Sequence, residues 1–239
     1  MSSTRTRGPF ASYSRVELAA ALNRLTFREV EQQHWGDLVR LFENPGGPKA
    51  CWCMVWRATP DETKKRDGAS RKAALERRVR VGAPIGILGY LDDEPVAWCS
   101  VAPRQTYRPL GGMSEPGDEP STVWSVVCFF VPRWLRGLGI AARLIRAAVS
   151  HARTQGATVV EAYPVEPDSP SYRFMGFVST FRAAGFRELG TAAPAATCCA
   201  CGSTGSWHVE PRSPSARRLI GLSSHLLRAI RRPVHTPFT

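Results

Sequence analysis

No apolar run in this sequence reaches the roughly 20 residues that a helix needs to cross a bilayer. Acidic residues are scarce beside basic ones, 20 Asp and Glu against 32 Lys and Arg, for a formal charge of +12. The imbalance is uneven. Four arginines stand against one glutamate in residues 1–24, and six against one in residues 210–239. Most of the basic excess therefore lies at the ends, and the middle of the chain does not read as a specific nucleic-acid binder. Salt-sensitive nucleic-acid binding through the Arg-rich ends stays as a lesser alternative. A mildly positive middle suits an anionic, phosphate-bearing ligand. The N-terminal stretch is basic and Ser-rich but lacks the apolar core of a secretory signal. With no such signal, an odd count of seven cysteines reads as reduced thiols in a cytoplasm. Standard metal spacing is missing too. Cys51 and Cys53 are one residue apart, and Cys198, Cys199, Cys201 and His208 match no common zinc pattern, so no metal is expected. There is no internal repeat.

What is present is enough for one sizeable core: 239 residues, 43% of them hydrophobic. Residues 25–30 alternate as a strand, and 34–42 have helical spacing. Residues 61–82 read as one charged helix or two, with Asp61 as N-cap after Pro60. Residues 85–91 and 96–102 flank the turn DDEP as a hairpin. Residues 122–131 are the most strand-like run and read as buried on both faces. A helix follows, with Ala141, Leu144, Ile145, Ala148, Val149 and Ala152 on one apolar face and Gly156 at its end. A strand at 158–165, a helix at 171–184 and a strand from 185 complete the order. That order predicts an α/β fold with a mixed sheet and helices on its faces. After Gly190 the composition changes abruptly. Residues 191–210 hold no convincing strand, and 215–232 have the spacing of a basic amphipathic helix. The expected organisation is a loosely ordered basic extension over 1–24, one domain over 25–190, and a divergent or frame-shifted basic tail over 191–239.

One short stretch carries chemistry. In PRWLRGLGIAARLIRAA (132–148), two glycines open what is otherwise a good helix. Glycine inside a helix costs about 1 kcal/mol relative to alanine, so a bare backbone must serve some purpose there. A strand, a glycine turn and a helix N-terminus together form an anion site. Unpaired N–H groups and the helix dipole favour negative charge, and glycines admit a phosphate close to the chain. Arg136 adds a fixed positive charge. The stretch lacks the Lys-Ser or Lys-Thr of a Walker loop and the three-glycine spacing of a dinucleotide fingerprint.

Arg136-Gly137-Leu138-Gly139-Ile140-Ala141 resembles the acetyl-CoA signature of the GNAT N-acetyltransferase superfamily: Arg or Gln, two residues, Gly, one residue, then Gly or Ala. A hydrophobic strand precedes it, a helix follows, and FRAAGF (181–186) is similar to the family's helix-to-strand ending. CWCM and the following WR, WSVVCFFV and EAYPV resemble an uncharacterised bacterial branch. The resemblance covers about residues 25–190. It implies a mostly antiparallel central sheet whose fourth and fifth strands splay apart, with the pantetheine arm of CoA in the gap. It implies that Phe129, Phe130 and Val131 pair with that arm and that residues 136–141 hold the pyrophosphate. The implied activity is transfer of an acetyl group from acetyl-CoA, as co-substrate, to a primary amine of a small molecule or protein. A catalytically weak CoA-binding module is the alternative. A homodimer is compatible with the resemblance.

Direct transfer needs a base for the amine proton and donors for the oxyanion. Glu161 is the candidate base, since a carboxylate inside an apolar strand needs a reason; a salt bridge to an arginine is the competing reason. Tyr163 shares its face and could donate a proton. The family often has a tyrosine four residues before the glycine of the closing Gly-Phe, and here that place is Phe181. Another group (Tyr163, Tyr172 or Ser179) acts instead, or none is needed. Trp52, Trp56 and Arg57 are candidate acceptor-side residues, the indoles as an apolar wall and Arg57 for a carboxylate, with burial in the core as the competing reading.

Overall fold

The computed structural model describes residues 8–111, 122–192 and 224–230. Strands β1 (Thr26–Glu29), β2 (Ile87–Leu91), β3 (Glu94–Pro103), β4 (Val123–Phe130), β5 (Val159–Ala162), β6 (Arg187–Ala192) and β7 (Ser224–Ile230) form one sheet. Its order is β1-β2-β3-β4-β5-β7-β6. β4 and β5 are parallel, and the other neighbours are antiparallel. The β2–β3 hairpin turns at Asp92 and Asp93, with φ of 49° and 64°. Two left-handed residues are what a tight hairpin loop requires to match the strand twist, and aspartate tolerates them.

The sheet opens where the sequence reading placed the gap. β4 and β5 pair from Val123 opposite Val159 to Val126 opposite Ala162. Against β3, the register of β4 slips between Cys128 opposite Ser100 and Val126 opposite Val101, which leaves Val127 as the extra residue of a bulge. A bulge adds local twist and turns a strand away from its neighbour. Beyond it, β4 continues alongside β3 as far as Phe130 opposite Trp98.

Two cores cover the faces. Helices α1 (Arg15–Ala21), α5 (Ile140–Thr154) and α6 (Val178–Ala183) lie over one face, where Leu18, Leu22, Leu144, Ile145 and Phe181 pack on Ile87, Val101 and Val126. Helix α2 (Trp35–Glu43), the turns at 50–58 and helix α4 (Gly68–Arg80) cover the other, where Leu38, Phe42, Trp52 and Leu75 pack on Leu88, Trp98 and Val127. Full burial of each such side chain contributes about 1.5–3 kcal/mol. The stripe on α5 is nearly the expected one: Leu144, Ile145, Ala148 and Ala152 are buried, Ala141 and Val149 partly so.

Ordered elements lie beyond both expected boundaries. Ahead of residue 25, α1 starts on a capping box in which Ser14 and Glu17 satisfy each other's backbone N–H. Its Leu18 and Ala21 are buried in the α5-side core. Beyond residue 190, β7 inserts between β5 and β6. Residues 224–230 are thus a strand, not part of a helix. Leu, Arg and Ala favour helices in isolation, but pairing on both edges satisfies the backbone here, and context overrides that preference. Two local expectations also change. Thr59, not Asp61, caps the short helix α3 (Pro60–Lys64), in a capping box with Glu62. The helix expected over 171–184 is a 3-10 turn at Arg173–Met175 followed by α6, interrupted by a bridge between Val165 and Phe177. Among the described residues no helix is long and apolar enough to cross a membrane.

Candidate active site

The glycine turn stands between the end of β4 and α5. Gly137 and Gly139 both have φ of 76°. An L side chain in that conformation costs about 1–2 kcal/mol, so the turn itself demands glycine. A Cβ on Gly139 would meet nothing within 4 Å, and one on Gly137 would meet only Nη2 of Arg15 at 3.4 Å. The surface over the glycines is open. Gly139 is the N-cap of α5; no side chain caps that end, and no acidic residue occupies its first turn. The first N–H groups of the 15-residue helix therefore keep their donor capacity for a ligand, at the positive end of the dipole. The exposed Arg136 folds back so that its Nε donates to the carbonyl of Val131 at 2.9 Å. Leu138 and Ala141 are half-buried, and Ile140 is buried as an anchor.

Phe129 and Phe130 point to opposite faces just past the bulge. The Phe129 ring packs edge-on to Phe181 at 5.9 Å, and Phe130 packs edge-on to Phe42 at 6.3 Å. Their backbone is the β4 edge that β5 has left. Phe181 is fully buried, wedged between Phe129 and Phe186. It supplies bulk to this corner and no proton.

Glu161 lies on β5 opposite Ser125 of β4, at the last pairs before the strands part. It is fully buried. Its Oε1 accepts from Ser125 Oγ at 2.6 Å, Tyr163 Oη at 2.8 Å and Arg104 Nε at 2.8 Å, and Oε2 accepts from Arg104 Nη2. Arg104 comes from the 3-10 turn after β3. Of the two readings of this carboxylate, a base or a salt bridge to an arginine, the geometry matches the second, and the Tyr163 hydroxyl donates inward to it. A buried charge is tolerable only when so partnered.

The acceptor-side residues divide. Trp52 is core, with Trp35 and Phe42 rings at 5.8 and 5.2 Å. Arg57 is also buried, and burial lowers its pKa. Its Nη2 donates to the Ile85 carbonyl at 2.7 Å, Tyr107 Oη at 2.6 Å and Ser100 Oγ at 3.1 Å. It clips the 50–58 turns to the sheet and is not free to hold an acceptor carboxylate. Trp56 differs. Its ring lies 6.0 Å from Tyr172, Tyr172 lies 5.8 Å from the exposed Phe174, and Trp56 Nε1 is buried without a partner. Trp52 and Cys53 hold φ of 47° and 51°, strained values for such side chains. A hydrogen bond with Cys128 and burial push the Cys53 thiol well up, away from nucleophilic use.

Sequence reading missed Arg15, Arg104 and Ser125. Arg104 is 57 positions from its partner, and nothing in spacing joins them. Ser125 was visible only as a small polar residue opposite a carboxylate, once the strand register was known. Cys198, Cys199, Cys201 and His208 lie outside the described residues; among the described residues no group of His, Cys, Asp or Glu is arranged to hold a metal.

A family model described as acetyltransferase (GNAT) family matches residues 50–177, more than half the chain. A comparison with functionally curated proteins by sequence finds no significant match. Among solved structures, the fold is similar to aminoglycoside acetyltransferase AAC(6')-Ib in complex with paromomycin and acetyl-CoA. The TM-score is 0.52 at 15% identity, over 87% of this chain and 93% of that one. The same protein in complex with coenzyme A gives 0.51 at 14%, over 87% and 95%. A ribosomal-protein-alanine N-acetyltransferase from Brucella melitensis gives 0.47 at 18% identity, over 86% and 99%.

Proposed function

Because the chain belongs to the acetyltransferase (GNAT) family, we propose that it transfers an acetyl group from acetyl-CoA directly to a primary amine, both substrates being held together on the enzyme. The observation that carries this reading is the open, uncapped turn at Gly137 and Gly139, beside a strand edge from which the neighbouring strand has parted.

The residues present fit CoA. Gly137 to Ala141 offer backbone N–H groups to the diphosphate, with Arg136 beside them. The β4 edge at Phe129, Phe130 and Val131 offers main-chain groups to the amides of the pantetheine arm. Acetyl-CoA supplies an acetyl thioester at the end of that arm. Most of the acceleration comes from holding amine and thioester in one orientation. Main-chain N–H groups on the parted edge stabilise the oxyanion that forms when the amine attacks the carbonyl. Thiols ionise far more readily than alcohols, so the sulfur of CoA leaves as a thiolate without an acid and takes its proton from solvent, and Phe181 is no bar. The neutral amine attacks, and its proton passes to solvent. Glu161 and Tyr163 act as positioning residues: with Arg104 and Ser125 they pin the junction from which the strands diverge. Tyr172 and the exposed Phe174, backed by the buried Trp56, offer an aromatic surface on which the acceptor would rest as a cation before it loses a proton to solvent and attacks. Transfer occurs in the cytoplasm.

The test is release of free CoA thiol from acetyl-CoA across a panel of polyamines, aminoglycosides and peptide N-termini. Release that depends on one class of amine supports the reading and names the acceptor. The sealing of Glu161 and the loss of a hydroxyl at Phe181 favour one alternative, a CoA-binding module with little turnover. It predicts acetyl-CoA binding with no thiol release for any amine.

A further inference from the structure

The segment ahead of the sheet crosses the glycine turn and is tied to it at several points. Phe10 stacks on Trp134, with centroids 5.9 Å apart, two residues before Arg136. Arg143, in the first turn of α5, donates to the Leu22 carbonyl at 2.5 Å. Arg15, at the start of α1, donates from Nη1 to the Arg136 carbonyl at 3.0 Å. Its other terminal nitrogen, Nη2, lies 3.4 Å from where a Cβ on Gly137 would stand. Among the described residues neither Arg15 nor Arg136 has a carboxylate partner; Glu17, the nearest acid along the chain, is used in the Ser14 capping box. Arg15 thus brings a guanidinium beside the glycine turn ahead of the uncapped helix, while Arg136 holds its own Nε on the Val131 carbonyl, and neither charge is matched by a carboxylate among the described residues.

We propose that Arg15 is a ligand for the phosphates of CoA: it completes, from outside the sheet, the anion site formed by Arg136 and the glycine turn. This rests on the acetyl-CoA reading of that turn. The Nη1 bond to the Arg136 carbonyl fixes the guanidinium plane, and Nη2 remains as the donor toward the ligand. A planar fork held on one side by the backbone is well suited to phosphate oxygens. The N-terminal segment then forms part of the cofactor site, and the capping box of α1 serves to place one side chain.

Calorimetric titration of the full chain compares wild type, Arg15→Ala and Arg15→Lys against acetyl-CoA, acetyl-dephospho-CoA and acetyl-pantetheine. A charge-assisted contact on an exposed residue predicts about a tenfold weaker affinity for acetyl-CoA in Arg15→Ala, with partial recovery in Arg15→Lys. The salt dependence should become shallower, and acetyl-pantetheine, which has no phosphate, should bind all three alike. If acetyl-dephospho-CoA shows the same loss, Arg15 binds the diphosphate; if it shows none, the 3′-phosphate. Wild-type affinity for acetyl-CoA in Arg15→Ala overturns the proposal and leaves the acetyl-CoA reading standing. Equal loss for acetyl-pantetheine also overturns it, because Arg15 then only braces α1. Failure of the wild type to bind acetyl-CoA defeats the underlying reading itself.

Discussion

Glu161→Gln separates a catalytic base from a structural ion pair. The carboxylate has no exposed surface, and it faces Arg104, Ser125 and Tyr163. Glutamine keeps one oxygen as an acceptor but removes the charge and turns an amide NH2 toward one of these donors. Breaking a fully buried pair costs about 3–5 kcal/mol. The Arg104 side chain retains 21% exposure and can recover some hydration, which lowers the expectation to about 2–4 kcal/mol. For a chain of this size each kcal/mol shifts the melting temperature by about 2–4 °C, so the variant should melt roughly 5–15 °C lower. Adding Arg104→Met removes the cation that faces the amide and should restore part of the loss, with a coupling above about 0.5 kcal/mol. Thermal unfolding by circular dichroism measures both, and turnover is read at a temperature where each variant is folded. A variant that melts with the wild type yet turns over a hundredfold more slowly would refute this reasoning and make Glu161 the base.

Other outcomes follow from the same packing. His151 is held below the ordinary imidazole pKa by burial, against an opposing pull from Glu29 at 3.9 Å. A depressed pKa means the folded state favours the neutral ring, so its contribution is full above about pH 6.5 and is lost as pH falls below it. Melting temperature should therefore decline from pH 6.5 toward 5 more steeply in wild type than in His151→Phe; parallel profiles would oppose this. Trp52→Ala should cost about 3–5 kcal/mol, as a core truncation, with acetyl-CoA affinity unchanged in the folded fraction. A raised acceptor KM at unchanged stability would instead make Trp52 part of the acceptor wall.

The succession of strands along the chain up to β6 was legible because apolar alternation and turn residues such as Asp92 and Asp93 act locally. The glycine mouth was legible for a similar reason: two glycines ahead of an amphipathic helix need a cause within a few residues. The structure gives one such cause, a left-handed backbone at both positions, and leaves the space over Gly139 open. β7 was not legible, since SHLLRAI has the composition of a helix and becomes a strand only between β5 and β6. The fate of Glu161 was equally hidden. A lone carboxylate in an apolar strand signals either chemistry or a partner, and the partner, Arg104, comes from another turn. Arg57 misled in the same way: its charge suggested a ligand, but it is buried, and the Ile85 carbonyl and the hydroxyls of Ser100 and Tyr107 accept from its Nη2.

The most direct measurement is calorimetric titration of wild type and Gly139→Glu with acetyl-CoA, alongside melting curves. A side chain at Gly139 enters open space, so the variant should fold, at a cost of about 1–2 kcal/mol for the left-handed backbone. It places a carboxylate where the diphosphate should sit. The expected result is saturable binding to wild type and at least a hundredfold loss in the folded variant. Undiminished binding to Gly139→Glu, or no binding to well-folded wild type, would contradict the assignment of the glycine turn to CoA.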